Sequence, residues 1–110
     1  YQVPAKLWMR AGKVVTDEVG DLNADGYNES EGCYTIRGGR TVVLDAGGSD
    51  RMQPAIKFLS SGVNGIPDVL VGGKLAERSA YNLAWLEGDA LLLHWLGTVS
   101  AGERMVISLR

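Results

Sequence analysis

Apolar residues in this chain come in short runs of four to six, bounded by Gly, Asn, Asp or Pro. A helix needs apolar residues three and four apart over several turns; a strand needs only a short run closed by turn chemistry. Helical spacing is scarce. Residues 75–86 offer a turn or two, through Lys74, Leu75, Ala76, Glu77 and Arg78. The runs predict strands at 5–10, 13–16, 33–37, 41–45, 55–59, 68–71, 81–86, 90–96 and 105–109. Gly38-Gly39 and Gly72-Gly73 each predict a two-residue hairpin turn, because Gly tolerates positive φ. Glu87-Gly88-Asp89 predicts a third hairpin with a slightly longer turn. Leu91-Leu92-Leu93 is uniformly apolar, so its strand is expected to be covered on both faces.

Eight or nine short strands in 110 residues imply an all-β fold, and the arrangement expected is an antiparallel β-sandwich. A small β-barrel is the alternative. The length suits one β-sandwich domain over residues 1–110. The first residues, Tyr1-Gln2-Val3-Pro4, and a strand-like ending at Met105-Val106-Ile107-Ser108-Leu109 read as one module cut from a longer polypeptide.

Charge and composition remove several function classes. Eleven basic and thirteen acidic residues give a net charge of −2, which leaves no basic footprint for nucleic acid and no polybasic membrane signal. No apolar run approaches the roughly 20 residues of a spanning helix. One Cys excludes an internal disulfide framework, and one His excludes a site built on two imidazoles of this chain.

Residues 21–31 carry the most specific chemistry: Asp21-Leu22-Asn23-Ala24-Asp25-Gly26-Tyr27-Asn28-Glu29-Ser30-Glu31. Side-chain oxygens stand at relative positions 1, 3 and 5, followed by Gly at 6. A hard divalent cation needs six to eight oxygens, and alternate residues of a tight loop turn theirs to a common centre. Six acids, Asp17, Glu18, Asp21, Asp25, Glu29 and Glu31, also lie here with no Lys or Arg among them. A solvated Asx turn is the bland alternative.

The spacing resembles the Asp-x-Asn-x-Asp-Gly calcium loop of dockerins, EF-hands and β-rich extracellular proteins. The likeness implies calcium ligands at Asp21, Asn23, Asp25, Tyr27 (through its carbonyl) and Glu29, with Glu31 as a final ligand. The second half departs from an EF-hand. Gly32 stands where a bidentate Glu belongs, and the strand-like Cys33-Tyr34-Thr35-Ile36-Arg37 follows instead of a helix. Such a site is expected to be weak, about 10⁻⁴–10⁻³ M, and to fill in an extracellular or periplasmic setting.

Other residues read as structural. Asn28-Glu29-Ser30 matches a glycosylation acceptor but lies inside the metal loop. His94 and Cys33 have no catalytic partner in the sequence pattern and read as packed residues. Trp85 and Trp95 sit among Leu83, Leu86, Leu93 and Leu96 and read as core. Trp8, with Tyr27, is the aromatic expected to meet a ligand.

The pattern as a whole resembles the accessory Ig-like β-sandwich modules of secreted bacterial multidomain proteins of the carbohydrate-active type. That likeness implies a non-catalytic, calcium-stabilised module whose partner is a neighbouring domain. A carbohydrate-binding module that takes a polysaccharide on exposed aromatics is the second reading. Part of a glycoside-active enzyme is the third.

Overall fold

The computed structural model describes the backbone of residues 6–9, 13–20, 22, 26–28 and 30–110, and the side chains of all of these except 6–9 and 13. The described residues form thirteen strands, eight of them three residues or longer, and one 3-10 turn at Arg78–Ala80. One sheet runs in the order β1 (Lys6–Met9), β5 (Thr41–Asp45), β13 (Arg104–Leu109), β8 (Val69–Val71) and β9 (Lys74–Leu75). All of its pairings are antiparallel. The second runs β10 (Tyr81–Leu86), β11 (Ala90–Trp95), β7 (Ala55–Leu59), β4 (Cys33–Arg37) and β2 (Lys13–Val14), with β3 (Tyr27–Asn28) also on β4. A short ladder of β6 (Arg51–Met52) with β12 (Thr98–Val99) completes the set.

The two main sheets share one core, as in a β-sandwich, and among the described residues no sheet closes into a barrel. Period-2 alternation builds it. β5 turns Val42 and Leu44 inward, and β13 turns Met105, Ile107 and Leu109 inward. The facing layer comes from Tyr34 and Ile36, Ile56 and Phe58, and Leu91 and Leu93. Register aligns them in rows: Ile36 beside Phe58 beside Leu91, and Tyr34 beside Ile56 beside Leu93. Leu92 points the other way and is half-buried, so β11 is sealed on its core face and partly covered on its outer one.

Gly72-Gly73 and Glu87-Gly88-Asp89 form hairpins as expected, closing β8 on β9 and β10 on β11. Gly38-Gly39 does not. β4 and β5 belong to different sheets, so this turn is an arch between layers. Two Gly permit either geometry. What decides is that both strands alternate apolar residues that must face one another across the core, Ile36 from one layer and Val42 and Leu44 from the other. Gly38 takes φ 82 and donates its N–H to the Leu59 carbonyl at 2.9 Å. The arch lets β7 return alongside β4 in parallel, the exception in an otherwise antiparallel fold. Parallel neighbours need a long crossover, which residues 38–54 supply by way of the other sheet.

Phe58 is fully buried on β7, the middle strand of its sheet. Phe58→Ala is expected to lower unfolding free energy by about 3–5 kcal/mol in urea or guanidinium titration.

Candidate functional site

The outer face of the second sheet ought to be wet, yet over β4 and β7 it is dry. Cys33 (2% exposed), Thr35 (0%) and Lys57 (6%) occupy outward positions there. Glu18, Asn28 and Glu31, from the chain before β4, lie over them. Their anchor is a polar cluster on Lys57. The Lys57 ammonium donates to Glu18 Oε2 at 2.8 Å and to Glu31 Oε2 and Oε1 at 2.6 and 3.0 Å. Glu18 Oε1 accepts from Thr35 Oγ1 at 2.5 Å and from Asn28 Nδ2 at 3.2 Å. Asn28 Oδ1 in turn accepts the Glu31 N–H at 3.0 Å. A buried charge is tolerable only when paired and hydrogen-bonded, and this one is.

Backbone shape brings these groups together. Gly20 is buried, and a Cβ there would stand 2.1 Å from Asn28 Oδ1, so only Gly lets the segment lie this close. Gly26 adopts φ 90, and a Cβ on it would meet Val14 Cγ1 at 2.3 Å. The Thr35 N–H donates to the Gly26 carbonyl at 3.0 Å, which makes these two a hydrogen-bonded pair of the β3–β4 ladder. The next pair, Tyr27 with Tyr34, is then of the closer, non-hydrogen-bonded kind. Their rings meet edge to face at 4.9 Å, and the Tyr27 carbonyl is turned away from β4.

Burial works to raise the Glu18 carboxyl, but hydrogen bonds from Lys57, Thr35 and Asn28 together outweigh it and hold the group below its ordinary value. Burial likewise works to lower the Lys57 ammonium, and the bonds to Glu18 and Glu31 reverse this and raise it. Burial pushes the Cys33 thiol up to about 11, with Glu31 and Glu18 adding to the shift and Lys57 opposing it.

The expected site residues fall in different places. Asp21, Asn23, Asp25 and Glu29 lie outside the described residues. Tyr27 is half-buried with its ring packed against the core. Glu31 is half-exposed, and Lys57 holds both of its oxygens. Trp8 lies in β1 opposite Val43, and its side chain is outside the description. Among the described residues, no three His, Cys, Asp or Glu side chains are grouped to hold a metal. Asn28 is 3% exposed and its Nδ2 is bonded to Glu18, so a glycan has no access to it. His94 pairs with Ala55 across β11 and β7. The β7 strand therefore separates it from Cys33 by two strand spacings, roughly 10 Å, beyond hydrogen-bond reach.

Comparison with protein-family models, with curated proteins and with solved structures finds no match to this chain.

Sequence reasoning missed Lys57 and the exposure of Trp85. Lys57 carried a signal: a lone charge in Ala55-Ile56-Lys57-Phe58-Leu59 complements an acidic stretch that has no basic residue of its own. Trp85 is not core; it is 42% exposed at the sheet edge formed by β10.

Glu18→Ala would leave Lys57, Thr35 and Asn28 short of an acceptor, and a loss of about 2–4 kcal/mol is expected. Glu31→Ala is expected to cost under about 1 kcal/mol, because its carboxylate is half-exposed. Denaturant titration of the two variants checks the order. The pH dependence follows from the same cluster. Glu18 is depressed, so its contribution is present above the ordinary 4.5 and lost as pH falls through its folded value. Lys57 is raised, so its contribution is full below the ordinary 10.5 and lost as pH rises through its folded value. Urea midpoints against pH should show a plateau between these limits, and Glu18→Gln should flatten the acid limb. The native Cys33 thiol should resist alkylation by iodoacetamide at neutral pH and react once urea unfolds the chain.

Proposed function

We propose that the chain is a non-catalytic β-sandwich module whose 21–31 loop binds calcium as a structural staple. The observation that carries this reading is the loop's Asp21-x-Asn23-x-Asp25-Gly26 spacing joined to the backbone at its end. Gly26 has the left-handed φ of 90 that a sharp turn at the sixth loop position requires. The following residue, Tyr27, turns its carbonyl away from β4, as a carbonyl ligand must. The proposed ligands are Asp21, Asn23, Asp25, the Tyr27 carbonyl and Glu29. Glu31 enters the set only by releasing Lys57, so the Lys57 cluster anchors the loop and the cation shapes its tip. Lys57 offsets Glu18 and Glu31 and leaves the charges of Asp21, Asp25 and Glu29 for the cation.

In this reading the module serves a neighbouring domain of a secreted bacterial protein, as a spacer or support. Millimolar calcium outside the cell suits a loop with no bidentate Glu at its last position.

Thermal melts in 5 mM calcium and in excess chelator provide the test, a working concentration set above the weak-site range of about 10⁻⁴–10⁻³ M. Calcium at several times its Kd should raise Tm by a few degrees, on the order of 1 kcal/mol of linkage. Asp21→Ala combined with Asp25→Ala should abolish the difference without lowering the chelator Tm. Identical melts in calcium and chelator would refute the site.

A further inference from the structure

β10 ends the second sheet among the described residues, and it presents one large ring there. Trp85 is 42% exposed, and its Nε1–H donates to the Gly65 carbonyl at 2.7 Å, which fixes the indole in place. Two hollows meet at this ring. One, of about 230 Å³, is walled by Ile66, Pro67, Arg78 and Leu83. The other, of about 350 Å³, is walled by Ser60, Ser61, Asn64 and Asp89. We propose that Trp85 and the polar hollow beside it form a binding site for a neutral sugar ring.

The chemistry of the hollow selects this ligand. Among the described residues the indole is its one aromatic wall; Val63 and Gly62 add apolar and backbone surface, and Ser60, Ser61, Asn64 and Asp89 bring hydroxyl, amide and carboxylate groups. A pyranose has one face of C–H groups and a rim of hydroxyls. The face suits an aromatic plane and the rim suits Ser, Asn and Asp. Among the described residues Asp89 is the only charged one lining this hollow, and Glu87 stands beside it in the same hairpin. A stacked nucleotide would set its phosphate against these acids, while Arg78 lies in the other hollow and the Arg40 guanidinium is engaged by the Ser61 and Gly62 carbonyls, so a phosphorylated ligand is disfavoured in this hollow.

The site is also preorganised. The Arg40 guanidinium donates to the Ser61 carbonyl at 2.8 Å and to the Gly62 carbonyl at 2.7 Å, and so holds the loop that forms one wall. The Val63 N–H donates to Ser61 Oγ at 3.3 Å. Ser60 (φ 50) and Asp89 (φ 60) both hold left-handed backbone, two of the three such non-Gly residues described. Strained backbone of this kind gathers at ligand sites, where fixed polar groups reduce the ordering cost of binding.

Affinity electrophoresis through gels containing β-glucan, xylan, galactomannan or amylopectin tests the site, with tryptophan fluorescence as a second readout. At least one polysaccharide should retard the chain and change its emission. Trp85→Ala should weaken that binding about tenfold or more, about 1.4 kcal/mol, whereas Trp85→Tyr should keep most of it. Asp89→Asn should weaken it severalfold. Circular dichroism and Tm confirm folding. Should Trp85→Ala not fold, Asp89→Asn and Asn64→Ala carry the same test. Retardation should persist in chelator, so failure of the calcium reading leaves this result distinct. No retardation by any of the four polymers, equal retardation of Trp85→Ala, or tighter binding of AMP than of sugar would each overturn the proposal. So would sedimentation showing this face closed against a second copy of the chain.

Discussion

A single ammonium on the middle strand of the second sheet decides how the chain at Glu18 and at Glu31 lies. Lys57 points outward from β7, between Ile56 and Phe58, which point into the core. Strand alternation leaves it nowhere else to go. A central strand covered on its outer face gives a charge little water, and an unpaired buried charge costs several kcal/mol. The covering segment must therefore supply carboxylates at that spot. It supplies one from each side of the intervening loop, Glu18 and Glu31, so the loop is held at both ends by one cation. Thr35 and Asn28 take up Glu18's other oxygen, and among the described residues no buried side-chain polar atom is left without a partner.

The same cluster changes how the acidity of residues 17–31 is understood. Six acids with no basic residue among them look repulsive in sequence, and repulsion argues for a bound cation. Part of the compensation comes from 26 residues further along, where Lys57 meets Glu31. The proposed calcium then has a narrower task. It answers the charges of the loop tip, while Lys57 answers those at the base. Salt should weaken the half-exposed Glu31 arm more than the Glu18 arm, since exposed pairs are screened and buried ones much less so.

Most of the strands could be read from the residues, because each is a short apolar run ended by Gly, Asn or Asp. The runs at 33–37, 41–45, 55–59 and 81–86 coincide with β4, β5, β7 and β10. Local pattern does not carry strand order. Gly38-Gly39 has the same chemistry as Gly72-Gly73, yet one crosses between layers and the other closes a hairpin. The two-residue strands β3, β6 and β12 were invisible because they carry no apolar run, whereas β2 lay in the 13–16 run and β9 was implied by the Gly72-Gly73 hairpin. At the site, the Asp21-x-Asn23-x-Asp25-Gly26 spacing behind the proposed calcium loop was legible because it is local. Lys57 was not, because an ion pair across the sheet has no local spacing to detect.

Strand order also explains why Trp85 differs from Trp95. Both lie on adjacent strands with leucines on either side, and in sequence they look alike. Trp95 belongs to β11, flanked by β10 and β7, and it packs against the core. Trp85 belongs to β10, which has no neighbour on its other side among the described residues. An edge strand leaves a large ring half covered, and here the 60–65 loop fixes that ring rather than burying it. β11 lies between β10 and β7, so the Trp85 edge and Lys57 stand two strand spacings apart, roughly 10 Å. At that distance through a packed sheet, with no side chain shared by both, substitutions at the two places should be nearly additive. The proposed calcium loop and the proposed sugar-binding edge can then coexist in one small module, each failing or succeeding on its own residues.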